Sequence, residues 1–478
     1  MLPSPVRAAW TTAGRNGMTP FLLGRGTTAA LCGGGGRSSS ANVAGASLSG
    51  SCAWTKSRLR SRGYAATTTK SLTGSSHASS SPSASRSNVL GVPTPAYKEF
   101  LASLFSAPSA QFLGSSSPAA QPAITTLDMH TEGEPLRIVL SGLEELLPFD
   151  MKGTMLQRRR FVQQNLDHLR RCLMWEPRGH RDMYGCLLFS PERPDSDVGV
   201  LFLHNEGLSS MCGHGIIALT KAIVELRLAH SCSSLSSSSS SFQELRIDTP
   251  AGLVEAKAWL EDSKLASSSV STSKQVKRVT FENVPSFAYR LDVPIWVPEL
   301  AREVRVDIGW GGAFYAYVQE EQLWKGEEGG KPREASDYRL LGMAVKRAVM
   351  QQVELVHPFE QDLSFLYGTI IVGKGQAAGS HSKNVCIFAD GEVDRCPTGT
   401  GVSGRLALHH AKKELSVGET IVIESILGTT FTGRVVKETQ FGSFKAIIPE
   451  VGGRAFVTGF NKWVLDPEDP LRYGFILS

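Results

Sequence analysis

No Asp or Glu occurs among residues 1–98, although eleven of the chain's 50 Lys and Arg fall there. The formal net charge of +5 is therefore misleading, because the remaining sequence sets 39 basic side chains against all 45 acidic ones. A mildly acidic body argues against a nucleic-acid-binding protein. Long apolar runs are missing as well: none approaches the roughly 18 residues that a membrane helix requires. Cysteine is sparse, with eight residues in 478, irregularly spaced and without a CxxC pair. That pattern excludes a disulfide framework and a cysteine-rich zinc site, and it leaves thiols available for chemistry.

What is present divides the chain. Residues 1–120 are rich in Ser, Ala, Gly and Thr and cannot bury enough apolar surface to fold. Being Arg-bearing, Ser-rich and free of acids until Glu99, this extension is expected to act as an organelle transit peptide, mitochondrial or other; without that role the protein would be cytoplasmic. The rest reads as an α+β chain in two similar halves, 121–300 and 301–455. Ser-rich inserts near 231–242 and 263–275 lengthen loops of the first half, and 456–478 is expected to return to it. Stretches such as "LRIVLSG" at Leu136, "GVLFLHN" at Gly199 and "YGTIIVG" at Tyr367 have the β-branched, apolar character of strands. The segment 155–175 places Val162, Leu166, Leu169 and Leu173 on one face of a single helix, which leaves Arg158 to Arg160 on a solvated face. His409-His410 reads as a surface dipeptide rather than a metal ligand pair.

Each half contains one Gly-rich turn that enters an apolar helix: "SMCGHGIIALTKA" from Ser210 and "DRCPTGTGVSGRLAL" from Asp394. Cys212-Gly-His-Gly superposes on Thr398-Gly-Thr-Gly, with a thiol facing a hydroxyl. A helix start leaves backbone N–H groups unpaired and carries partial positive charge, so it receives anions. A cysteine there is expected to titrate below its usual value of about 8.5. Two such starts facing one another would cradle a small carboxylate, with Cys212 in reach of its α-hydrogen.

Together with "DMHTEGEPLRIVLSG" from Asp128 and "EPRGHRDMYG" from Glu176, these stretches resemble, in order and over residues 125–475, the proline racemase family. The resemblance implies a diaminopimelate-epimerase-like fold: two halves, each a curved, mostly antiparallel sheet around a central helix, with the active site between them. It also implies catalysis on a small substrate without cofactor or metal, with no nucleic-acid or membrane partner, in a homodimer. The family's racemases and epimerases carry a catalytic cysteine at each helix start, the second in Ser-Pro-Cys-Gly-Thr-Gly. This chain has Thr398 there and places Cys396 where serine is usual; Pro397 stiffens the approach, so Cys396 should not reach the helix start.

A hydroxyl cannot deprotonate carbon. The Cys–Thr pairing, like Gly215 in "MCGHG", resembles the family's trans-3-hydroxy-L-proline dehydratases. The implied roles are Cys212 as base, Thr398 opposite it, Asp394 on the ring ammonium, and Gly213, His214, Gly399 and Thr400 around the carboxylate. His214 either polarises the thiol or mainly supplies its N–H. His130, Glu132 and Glu134 of "HTEGEP" are left outside the site. A hydroxyproline epimerase and a non-catalytic binder of imino acids are the competing readings.

Overall fold

The computed structural model describes residues 123–144, 146–147, 151–226, 241–262, 274–324 and 333–477. The extension 1–120, the C-terminal residue 478 and most of the two Ser-rich inserts lie outside the described residues. Strands form where apolar or β-branched residues run between turn residues. The first set is β1 Ala123–Thr131, β2 Glu134–Ser141, β3 Gly185–Phe189, β4 Val198–Leu203, β5 Leu208–Ser209, β6 Phe242–Thr249, β7 Gly252–Asp262 and β8 Lys274–Glu282. Its helices are α1 Met155–Asn165, α2 Asp167–Met174 and α3 Gly213–Leu226.

The second set begins with β9 Ser286–Val297, β10 Arg302–Trp310, β11 Phe314–Gln319, α4 Glu320–Leu323, α5 Ala335–Gln352, β12 Leu366–Gly373 and β13 Ser382–Phe388. It continues with β14 Glu392–Val393, α6 Gly399–Ala411, β15 Thr420–Glu424, β16 Thr430–Phe441, β17 Phe444–Gly453 and β18 Ala455–Val464.

The pairing repeats itself. In the first set β2 runs parallel to β3, β3 antiparallel to β4, β4 parallel to β6, and β6, β7 and β8 follow antiparallel. In the second, β11 runs parallel to β12, β12 antiparallel to β13, β13 parallel to β15, and β15, β16 and β17 follow antiparallel. In both, a two-stranded return, β4–β5 or β13–β14, precedes the central helix. The second sheet closes on itself through β9, which pairs with both β10 and β17. The first is edged by β18, which crosses back to pair with β1 along its whole length. β8 pairs with β17 and joins the two sheets. This is the α+β architecture of two similar halves.

The central helices are enclosed, which explains why α3 is apolar on all but the face that carries the Lys221–Glu225 pair. Ile216, Ile217, Leu219 and Ile223 of α3 share one core with Val402 and Leu406 of α6. A second core gathers Phe287, Trp310, Phe314 and Val345, and a third lies beneath α1 and α2.

Two expectations are corrected here. Segment 155–175 is not one helix: it breaks at Leu166, whose backbone leaves the helical region while Val162, Leu166, Leu169 and Leu173 all stay buried. Arg158 and Arg159 do not lie on a solvated face. Both are buried, donating to the carbonyls of Ser190 (2.5 Å) and Leu208 (2.8 and 3.1 Å). Arg160 alone of the three sits outside, paired with Asp362. Long guanidinium groups can serve as internal donors to carbonyls of a loop (Ser190) or of a short two-residue strand (Leu208). Helical periodicity does not reveal that demand. His409 and His410 are half-buried and bonded to Glu414 (2.6 Å) and Glu438 (2.9 Å).

Candidate active site

Each half delivers its helix start to the same place. Strand β4 and the loop 204–211 lead to Cys212, whose carbonyl accepts the N–H of Ile216 at 3.0 Å and whose sulfur accepts that of Gly215 at 3.3 Å. The thiol thus caps α3. In the other half β14 and the turn 394–397 lead to Thr398, whose carbonyl accepts the N–H of Val402 at 2.7 Å. Thr398 is held at φ +67°, a region a β-branched residue seldom occupies, and such strain is typical of sites whose surroundings over-determine them.

The two helix starts meet backbone to backbone. A Cβ added to Gly213 would lie 2.5 Å from Cα of Gly399, and one added to Gly399 would lie 2.6 Å from Cα of Gly213. Only glycine permits that approach, which points the unpaired first N–H groups of both helices at a common space. Cys212, Gly213, His214, Asp394, Thr398, Gly399 and Thr400 line a single cavity there. It measures about 20 Å³, room for about one water. Beyond Tyr367, which borders both spaces, a wider cavity of about 680 Å³ opens between Arg159, Glu206 and Lys346.

Sequence reasoning missed the aromatic wall. Tyr184, Tyr315 and Tyr367 also line the small cavity and are buried, each held protonated by that burial. Tyr184 donates to Ser209 at 2.8 Å and meets the Tyr367 hydroxyl at 3.2 Å; Tyr315 pairs with the Thr400 hydroxyl at 2.8 Å. In or beside a strand these residues read as core, and only their clustered hydroxyls mark them as part of a site. Glu134 is the second omission. It is fully buried, with Oε2 accepting the Arg395 N–H at 2.7 Å, and so holds the turn that carries Asp394 and Thr398.

The electrostatics correct a further expectation. Burial pushes the Cys212 thiol well above its ordinary value, outweighing the Gly215 N–H and a bond from Tyr184, with the charges of Asp394 and Glu134 adding to the rise. A helix start surrounded by apolar wall and carboxylates does not by itself yield a thiolate. His214 Nδ1 lies 3.1 Å from the sulfur. Burial lowers this imidazole to about 3 against a bond to the Pro135 carbonyl, so the ring is neutral. With its one N–H given to Pro135, the other nitrogen is an acceptor facing the thiol.

On the opposite side the Thr398 hydroxyl donates to Asp394 Oδ2 at 2.7 Å, and the Cys396 N–H donates to Oδ1 at 2.8 Å. Cys396 is fully buried and does not line the cavity; its sulfur accepts the Thr398 N–H at 3.4 Å. His214, Asp394 and Cys396 bring possible ligand atoms within 4.8 Å of one another. Those atoms are already engaged, with the Cys212 thiol, with Thr398 and the Cys396 N–H, and with the Thr398 N–H respectively.

Residues 126–476 match the family model described as proline racemase. The chain belongs to the proline racemase family. A trans-3-hydroxy-L-proline dehydratase of Colwellia psychrerythraea is 45% identical over 355 residues, covering 74% of this chain and 92% of that protein. The trans-3-hydroxy-L-proline dehydratase of Homo sapiens is 42% identical over 361 residues, covering 75% of this chain and 95% of the relative. Among proline racemase family structures, a hydroxyproline epimerase of Agrobacterium vitis with bound trans-4-hydroxy-L-proline superposes with a TM-score of 0.63. It is 28% identical, and the match covers 74% of this chain and 96% of that one.

Proposed function

We infer that the protein is a hydro-lyase that removes water from trans-3-hydroxy-L-proline to give Δ1-pyrroline-2-carboxylate. The observation that carries this reading is one cavity with a sulfur on one side and an alcohol on the other. Relatives at 41–45% identity that bear the dehydratase name support it.

The substrate's carboxylate lies against the N–H groups of Gly213, His214, Gly399 and Thr400, and its ring ammonium lies against Asp394. The ammonium brings a positive charge that the resting site lacks, and this favours ionisation of Cys212 with His214 as the first acceptor of the thiol proton. The thiolate removes the α-hydrogen while the helix starts take up the charge that develops on the carboxylate. Racemisation needs a second acid able to protonate carbon from the far side, and Thr398 is too weak for that. It can instead protonate the oxygen that leaves C3.

The cavity is too small for an imino acid, so the two halves must part to admit one and close again over it. Tyr367, between the small and the wide cavity, stands on that path. Incubation with trans-3-hydroxy-L-proline and o-aminobenzaldehyde tests the reading: the yellow adduct of the cyclic imine should form, and L-proline should be left unchanged. A hydroxyproline epimerase would instead accumulate the C2 epimer. We also take the working form to be a homodimer, which light scattering in solution would report as twice the chain mass. The Arg-bearing, Ser-rich extension is read as an organelle address, which fusion of residues 1–122 to a fluorescent protein would test.

A further inference from the structure

Glu134 is fully buried beside the active-site turn, and its two oxygens are treated unequally. Oε2 accepts the Arg395 N–H at 2.7 Å, whereas Oε1 has no partner. The obvious cation gives Oε1 no hydrogen bond and its charge offsets the burial only in part: the Arg395 guanidinium turns away to Asp182 at 3.0 Å and the Val393 carbonyl at 3.2 Å. The neighbour whose negative charge acts most on Glu134 is Asp394. A buried carboxylate oxygen without a donor, under the negative charge of a second buried carboxylate, calls for a proton.

We propose that Glu134 and Asp394 share one proton in the resting site and deliver it, through the Thr398 hydroxyl, to the oxygen that leaves C3 of the substrate. The inference rests on the dehydratase reading and assigns Glu134, which lies outside the cavity, as a positioning residue that acts through Asp394.

The path is short. Asp394 Oδ2 and Thr398 Oγ1 are 2.7 Å apart, and the bond can run from hydroxyl to carboxylate or, when Asp394 carries the proton, from acid to hydroxyl. Burial pushes both carboxyls above their ordinary range. The other groups facing the pair are the thiols of Cys212, Cys386 and Cys396, all pushed upward by burial, the His214 imidazole, lowered by burial to about 3, and Glu392 and Arg395.

The step balances. The Cα–H bond breaks, its proton goes to the Cys212 thiolate, and its electrons form the C2–C3 double bond as the C3–O bond breaks. The departing oxygen takes the Thr398 proton and leaves as water, and the carboxyl pair refills Thr398. The ring ammonium then recharges the pair and becomes a neutral enamine nitrogen. The proton that Cys212 first gave to His214 passes to solvent, which restores the neutral imidazole beside a Cys212 thiol, and the enamine tautomerises to the imine.

A leaving group that needs no proton separates this role from a merely structural one. Wild type, Glu134→Gln and Thr398→Val are compared on trans-3-hydroxy-L-proline, by imine formation, and on trans-3-fluoro-L-proline, by release of fluoride. On the hydroxylated substrate kcat/KM should fall about tenfold for Glu134→Gln and at least about 100-fold for Thr398→Val. On the fluorinated one Glu134→Gln should stay within about threefold of wild type, and the loss for Thr398→Val should be at least about tenfold smaller than on the hydroxylated substrate, because the general-acid contribution is no longer needed. Equal losses on the two substrates, or no loss on either, overturn the relay. A wild-type protein that eliminates from neither compound overturns the dehydratase reading instead, which keeps the two failures apart.

Discussion

The two helix starts share one backbone plan and differ in their chemistry. At α3 a sulfur caps the helix and faces a neutral imidazole nitrogen at 3.1 Å. At α6 a hydroxyl faces a carboxylate oxygen at 2.7 Å. The first pairing can take a proton from carbon; the second can only pass a proton between oxygens. The repeat in strand pairing supplies two equivalent positions, and a change of one side chain at the second turns a symmetric acid–base pair into a lopsided one. Fold and reaction are thus set by different residues.

The comparison breaks most completely if the sulfur is removed. Cys212→Ala should lower imine formation about 10³-fold or more, with the far-ultraviolet circular dichroism unchanged. Making the two sides alike is the next largest change. Thr398→Cys restores a second thiol and removes the alcohol, so dehydration should fall about 10–100-fold. Deuterium from D₂O should then appear at C2 of recovered substrate, read by NMR.

Much of this contrast was legible in the sequence. The Gly-rich turns, the thiol and the threonine stand in contiguous stretches, and apolar runs announced the helices and strands around them. Other features depend on contacts between segments far apart in the chain. Tyr315 and Tyr367 come from two strands and Tyr184 from the turn just before a third, and only folding brings their hydroxyls together around the cavity. Glu134 reaches the site through a bond to Arg395, 261 residues away in the chain. The rise of the Cys212 thiol is a property of enclosure, which a helix start read alone does not disclose. The buried Arg158 and Arg159 answer carbonyls that no periodicity reveals.

Smaller effects sharpen the contrast. Gly399→Ala would drive a methyl into Cα of Gly213, so it should cost about 1–3 kcal/mol and lower both Tm and kcat/KM. The pH dependence has a definite sign. Reaction of Cys212 with iodoacetamide requires the thiolate, and burial raises the thiol, so in the free protein the rate should keep climbing above pH 9, with Cys212→Ser as the blank. A plateau below pH 8 would show that the helix start outweighs burial. His214, lowered to about 3, should add no further inflection between pH 5 and 7. The smallest effect belongs to Cys396→Ser, which keeps a small acceptor for the Thr398 N–H and should alter kcat/KM by less than about twofold.

The most direct measurement follows trans-3-hydroxy-L-proline in D₂O by NMR with the wild-type protein. The expected result is conversion to Δ1-pyrroline-2-carboxylate with no build-up of a C2-deuterated epimer, and no exchange at C2 of L-proline. Interconversion of L- and D-proline, with trans-3-hydroxy-L-proline untouched, would contradict it.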